Sequence, residues 1–180
     1  MKFNKLFLRV KSNNFDSHNC ILSLALLSVP PSFEEIGQKV RSIDEIIENK
    51  IANCLDIAVL AASSLEAVGL NPFIIIVKGH AFVGAWLEDK TYSDSVIEDR
   101  AFFLKRLATG VREVELFESV LLTSNDRYTY ETALTEAEDK IEIADNFIMG
   151  IDIKQARSMM IKPLPKMRDL TIDQTVIVSF

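Results

Sequence analysis

The chain has 180 residues, 48% of them hydrophobic and 26% charged, with a net charge of −6. This length suits one domain over residues 1–180 with a real core, and the composition excludes a disordered or collagen-like chain. Its basic residues form no stripe that would bind a phosphate backbone, so direct contact with nucleic acid is not expected.

The opening "MKFNKLFLRVKSNN" is interrupted by Lys5, Arg9 and Lys11, so it does not read as a secretory signal, and a cytoplasmic location is expected. Within it Leu6, Leu8 and Val10 alternate with Phe7, Arg9 and Lys11, the pattern of a half-buried strand over 5–11. The apolar run "CILSLALLSV" is about half the length needed to cross a bilayer, which makes it a core element rather than a membrane anchor. Its period fits a buried strand and a short helix equally. Two Ser-x-x-Glu boxes follow, Ser32 to Glu35 and Ser42 to Glu45, and predict two short helical segments running toward residue 50.

The next helix is expected over about residues 54–68. Asn53 supplies a capping oxygen, Asp56 suits the first turn, and Gly69, Asn71 and Pro72 end it. Its body, "LDIAVLAASSLEAV", is apolar on nearly every face and rich in alanine, as a buried central helix must be. "NPFIIIVKGHAFVGAWLE" then reads as two strands joined at Lys78 and Gly79, the second beginning at His80. A helix is predicted over 95–109, stopped by Gly110, followed by a strand in "VREVELFESVLL". "TYETALTEAEDKIEIADNF" reads as a mostly solvent-facing helix, and "QTVIVSF" as a terminal strand after the break at "PLPK". Trp86, Phe102, Phe103 and Phe117 are assigned to the core, and Asp89, Asp94 and Asp99 to the surface.

The chemistry concentrates at three positions. Cys54 falls at a helix start, where unpaired amides and the helix dipole favour a thiolate. Asp56 opposes that charge unless its carboxylate turns back to the amide of Asn53. A thiol nucleophile needs a base, and His80 is the candidate, since His18 lies in a polar N-terminal turn. If Leu87 faces Val111 in an antiparallel pair, each pair of numbers sums to 198 and His80 faces Glu118. That register also sets Phe82, Gly84 and Trp86 on the face of Leu116, Val114 and Arg112. Glu118 would then fix the imidazole and stabilise its charged form, with Asp94 as the weaker substitute. Cys20 and Cys54 form no CxxC pair and are read as free thiols of a reducing compartment. His18, Cys20, Cys54 and His80 have side chains acceptable to zinc but not a metal-binding spacing. No metal or cofactor is expected.

These residues resemble the transglutaminase-like superfamily of papain-like folds, in which a cysteine heads a core helix and a histidine and an acidic residue follow on successive strands. The block "CLDIAVLAASSLEAVGLNPFIIIVKGHAFVGAWLE" is similar to the transglutaminase-like region of large bacterial proteins that also carry a superfamily 1 helicase and a nuclease. "KVRSIDEII", "FESVLLT" and "IDIKQARSMMIKPLP" extend the similarity to about residues 37–165. Two departures stand out: Ala52 and Asn53 replace the Gly-Thr that tends to precede the cysteine, and Ser119 and Val120 replace the threonines common after the acidic residue.

The resemblance implies an α+β fold, with a buried central helix packed on an antiparallel sheet, and a Cys54, His80 and Glu118 triad. The implied activity is a cysteine-dependent hydrolase or acyltransferase acting on a protein or peptide amide. The competing expectation is a catalytically inactive transglutaminase-like interaction module of a bacterial defence or DNA-processing system. In the similar proteins "IDIKQARSMMIKPLP" leads toward further domains, so the chain is also read as part of a larger architecture.

Overall fold

The computed structural model describes residues 27–28, 33–34, 37–123, 128–163 and 176–178. The expected strand over 5–11, His18, Cys20 and most of "CILSLALLSV" lie outside these residues. Three short strands come first, β1 Leu27–Ser28, β2 Phe33–Glu34 and β3 Gly37–Val40, followed by helix α1 Ile43–Asn49 and β4 Ile51–Ala52. Helix α2 (Cys54–Ala67) precedes the hairpin of β5 (Asn71–Val77) and β6 (His80–Trp86). Then come β7 Val96–Ile97, α3 Arg100–Leu107, β8 Val114–Phe117 and a 3-10 turn at Ser119–Leu122. Helix α4 (Tyr130–Glu142), β9 (Phe147–Asp152), α5 (Ile153–Ser158) and β10 (Val176–Val178) complete the order.

The main sheet has five strands in the order β7-β9-β5-β6-β8, each antiparallel to its neighbours. Both faces are covered, so the fold is α+β. Alternation along β5 divides the core: Ile74 and Ile76 pack with Ala58, Ala61, Ala62 and Leu65 of α2. On the opposite face Phe73 and Ile75 pack with Phe102 and Phe103 of α3 and with Ala137 and Ile141 of α4. Trp86, Phe102, Phe103 and Phe117 are buried as expected. Two glycines are sites of close approach. A Cβ on Gly84 would lie 2.6 Å from Leu116 Cδ2 and 2.8 Å from the Glu115 carbonyl oxygen, and one on Gly150 would run into the ring of Phe103.

Several expectations are corrected. Near the first Ser-x-x-Glu box the chain makes strand rather than helix: Phe33 pairs with Gln38 and Glu34 with Gly37, and β10 covers the other edge of β3. Phe33, Ile36 and Val40 behind that box do recur at a helical period, so strand pairing here prevails over both local helix signals. The second box is complete, with Ser42 accepting from the Glu45 amide and Glu45 accepting from that of Ser42.

The helix expected from residue 95 begins at Arg100, because Val96 and Ile97 pair with Ile151 and Gly150 and Asp99 caps the helix. It ends at Leu107, three residues before Gly110. The following strand is confined to Val114–Phe117, with a 3-10 turn beyond it. Helix α4 is not mostly solvent-facing: Tyr130, Ala133, Ala137 and Ile141 form one buried stripe. Strand β9, between β7 and β5, had no counterpart in the sequence reading. The terminal strand is present as β10, paired with β3. Among the described residues, no helix is long and apolar enough to cross a membrane.

Candidate active site at the head of helix α2

The first turn of α2 is built by a reciprocal cap. Asn53 Oδ1 accepts the Asp56 amide and Asp56 Oδ2 accepts the Asn53 amide, each at 2.9 Å. Asp56 is buried, and Arg41 provides two more bonds, from its backbone amide to Oδ1 and from its guanidinium to Oδ2, both 2.8 Å. The carboxylate two residues from Cys54 is therefore neutralised within the cap. This leaves the helix dipole and the remaining first-turn amides to act on the thiol.

His80 is placed by the two-residue turn of the β5–β6 hairpin, where Val77 pairs with His80 and Gly79 adopts a φ of 73°, a left-handed conformation that glycine accepts without strain. The pleat puts His80 on the face of Phe82, away from the body of α2, and the His80 and Phe82 rings stack with centroids 6.2 Å apart. Ring and thiol meet at the end of the sheet, where both β6 and α2 begin. His80 lies close enough to favour the Cys54 thiolate, and the backbone amides of Ala81 and Leu55 favour it as well.

His80 Nε2 lies 2.7 Å from Glu118 Oε2. The register that suggested this pair is off by two residues. Val83 faces Phe117, Gly84 faces Leu116 and Trp86 faces Val114, so Leu87 does not face Val111 and Arg112 precedes the strand. A shift of two preserves the face of every side chain, which is why the histidine and glutamate still converge. In the observed register Glu118 follows the last ladder pair and caps the 3-10 turn, with Oε1 accepting the Val120 amide at 3.1 Å. From there Oε2 reaches diagonally to the imidazole. With Nε2 engaged by Glu118, Nδ1 is the ring nitrogen left for the thiol.

The electrostatics follow from this chain of contacts. Burial pushes the Cys54 thiol up, but the hydrogen bond and charge of His80 outweigh it and bring the thiol below its ordinary value. Burial likewise disfavours a charged His80, yet the bonds to Cys54 and Glu118 raise it to about 9. Glu118 is only 2% exposed, and burial alone would raise its carboxyl. His80 chiefly, with Lys140 and the Val120 amide, holds it below its ordinary value instead. At neutral pH these directions favour thiolate beside imidazolium, the reactive form of a cysteine nucleophile.

Lys140 was missed. Its Nζ lies 3.1 Å from Glu118 Oε2, the oxygen that His80 holds. In the sequence it forms an i,i+4 pair with Glu136, the ordinary mark of a solvated helix face. Asp94 is not drawn into the cluster: it is exposed and accepts the Ser95 amide. Cys54 is a free thiol, and among the described residues no three His, Cys, Asp or Glu side chains are grouped to hold a metal ion. The chain matches no protein-family model, no curated protein and no solved structure.

Proposed function

We propose that this protein is a cysteine-dependent hydrolase or acyltransferase acting on an amide or peptide carbonyl. The supporting observation is the 2.7 Å contact of His80 with the buried Glu118 at the head of α2, with Cys54 close enough to the ring for each to shift the other's charge. In this reading Cys54 Sγ attacks the carbonyl carbon and His80 carries the thiol proton. The backbone amide of Cys54 donates to the oxyanion. Collapse of the tetrahedral intermediate breaks the C–N bond, and His80 gives its proton to the departing amine. Water or an amine acceptor then attacks the thioester and releases Cys54, with Glu118 fixing the imidazole throughout.

The α+β layout, with α2 against an antiparallel sheet, is compatible with a papain-like core of the transglutaminase-like kind, and we assign it so. The substrate class is protein or peptide, and the setting is the bacterial cytoplasm, within a larger assembly of domains. Alkylation followed by peptide mapping tests this reading. Cys54 is expected to react faster than Cys20 below neutral pH, and His80→Ala to abolish the difference. A panel of glutamine-containing peptides and proteins, screened for ammonia release, then defines the acyl donor. Equal, slow labelling of both cysteines would favour the non-catalytic interaction module.

A further inference from the structure

The carboxylate of Glu118 serves two cations. Its Oε2 lies 2.7 Å from His80 Nε2 and 3.1 Å from Lys140 Nζ, while Oε1 takes the Val120 amide. Lys140 belongs to α4, two turns beyond Ala133, whose carbonyl accepts the Glu118 amide hydrogen at 2.9 Å. One helix thus holds Glu118 by both backbone and side chain. Glu136, on the exposed side of α4, holds the same ammonium at 3.3 Å. A pair between Lys140 and Glu136 alone would be a surface ion pair of little consequence. The pair with Glu118 differs because that carboxylate is almost fully buried and its other cationic partner is the imidazole.

From this shared oxygen we infer that Lys140 is a positioning residue: it sets the strength of the Glu118–His80 contact, and so the pH range over which the Cys54–His80 pair is charged. The inference rests on the proposed function above. Lys140 keeps Glu118 ionised, and it also divides the carboxylate's attraction and repels the imidazolium, the two cations lying within about 6 Å of each other. A histidine bound too tightly in its charged form gives up its proton poorly, so this restraint keeps His80 useful as an acid and base near neutrality. The charged groups that meet here are Cys54 from α2, His80 from β6, Glu118 after β8, and Lys140 and Glu136 from α4.

The test is an NMR pH titration of the His80 ring in the full chain, with the pH dependence of Cys54 alkylation measured alongside. Lys140→Met keeps the aliphatic stem and removes the charge, and it is expected to raise the His80 midpoint by about one pH unit or more. Lys140→Arg should restore the wild-type midpoint. Glu136→Gln, which leaves Lys140 to Glu118 alone, should lower it by a smaller amount. An unchanged midpoint in Lys140→Met, or equal shifts in the Met and Arg variants, would overturn the inference. If Lys140→Met does not fold, an unmoved midpoint in Glu136→Gln would overturn it equally. Alkylation that ignores His80 while the Lys140 shifts appear would sink the proposed function and leave the electrostatic coupling standing. The converse pattern would sink only the coupling.

Discussion

Replacing Glu118 by glutamine isolates the charge behind the imidazole. The amide retains an oxygen for the Val120 N–H, and Lys140 retains Glu136, so the local fold has no new unpaired cation. What disappears is the anion 2.7 Å from His80 Nε2. That anion and Cys54 together raise His80 from 6.5 to about 9 against the opposing pull of burial. An opposite charge in contact is worth about 1–3 pH units to a titrating group, so loss of Glu118 is expected to lower the His80 midpoint by at least about one unit. With that support gone, the equilibrium constant that favours the thiolate–imidazolium pair over the neutral pair falls by about tenfold or more. The second-order rate of Cys54 alkylation by iodoacetamide, followed from pH 5 to 9, should fall most between the ordinary imidazole value and the ordinary thiol range and converge with wild type above it. A Glu118→Gln profile superimposable on wild type would refute the assignment of Glu118 as the residue that charges His80.

Further outcomes follow from the same contacts. Asp56→Asn should cost about 3 kcal/mol in urea denaturation, because it leaves the Arg41 guanidinium without its carboxylate in a mostly buried setting. A loss below ~0.5 kcal/mol would mark the pair as an ordinary surface contact. Gly84→Ala should be destabilised by at least ~2 kcal/mol, since its methyl meets Leu116 Cδ2 and the Glu115 carbonyl oxygen; an unchanged melting temperature would contradict that packing. Glu118 is held below its ordinary value, so its contribution to stability is present above the unfolded carboxyl value and is lost as pH falls through the folded one. The gap in urea midpoint between wild type and Glu118→Gln should therefore narrow as the pH drops below about 4, and a gap that widens there would reverse the sign.

The parts of the fold legible in the sequence were those with strong local punctuation. Asn53, Asp56 and Gly69 bracket α2 to within a residue, and Lys78-Gly79 marks the hairpin that puts His80 at the start of β6. Glu118 was reached through a register in error by two residues, an error that conserves the face and so conserves the partner. Where tertiary pairing decides, local signals failed. Phe33–Glu34 carries part of a helix box but is strand, Val96–Ile97 is drawn into the sheet by β9, and β9 itself is a short segment with a glycine and no alternation of polarity. Lys140 was hidden for a related reason. Its sequence neighbour Glu136 explains its charge locally, whereas its buried partner comes from another element, 22 residues earlier in the chain.

The central claim is that Cys54 carries a thiolate stabilised by the His80 imidazolium. The most direct test is the ultraviolet absorbance of the thiolate as a function of pH, taken as the difference between wild type and Cys54→Ala. A thiolate band already present near pH 6 and lost in His80→Ala is the predicted result. A band that emerges only through the ordinary thiol range, unchanged when His80 is removed, would contradict it.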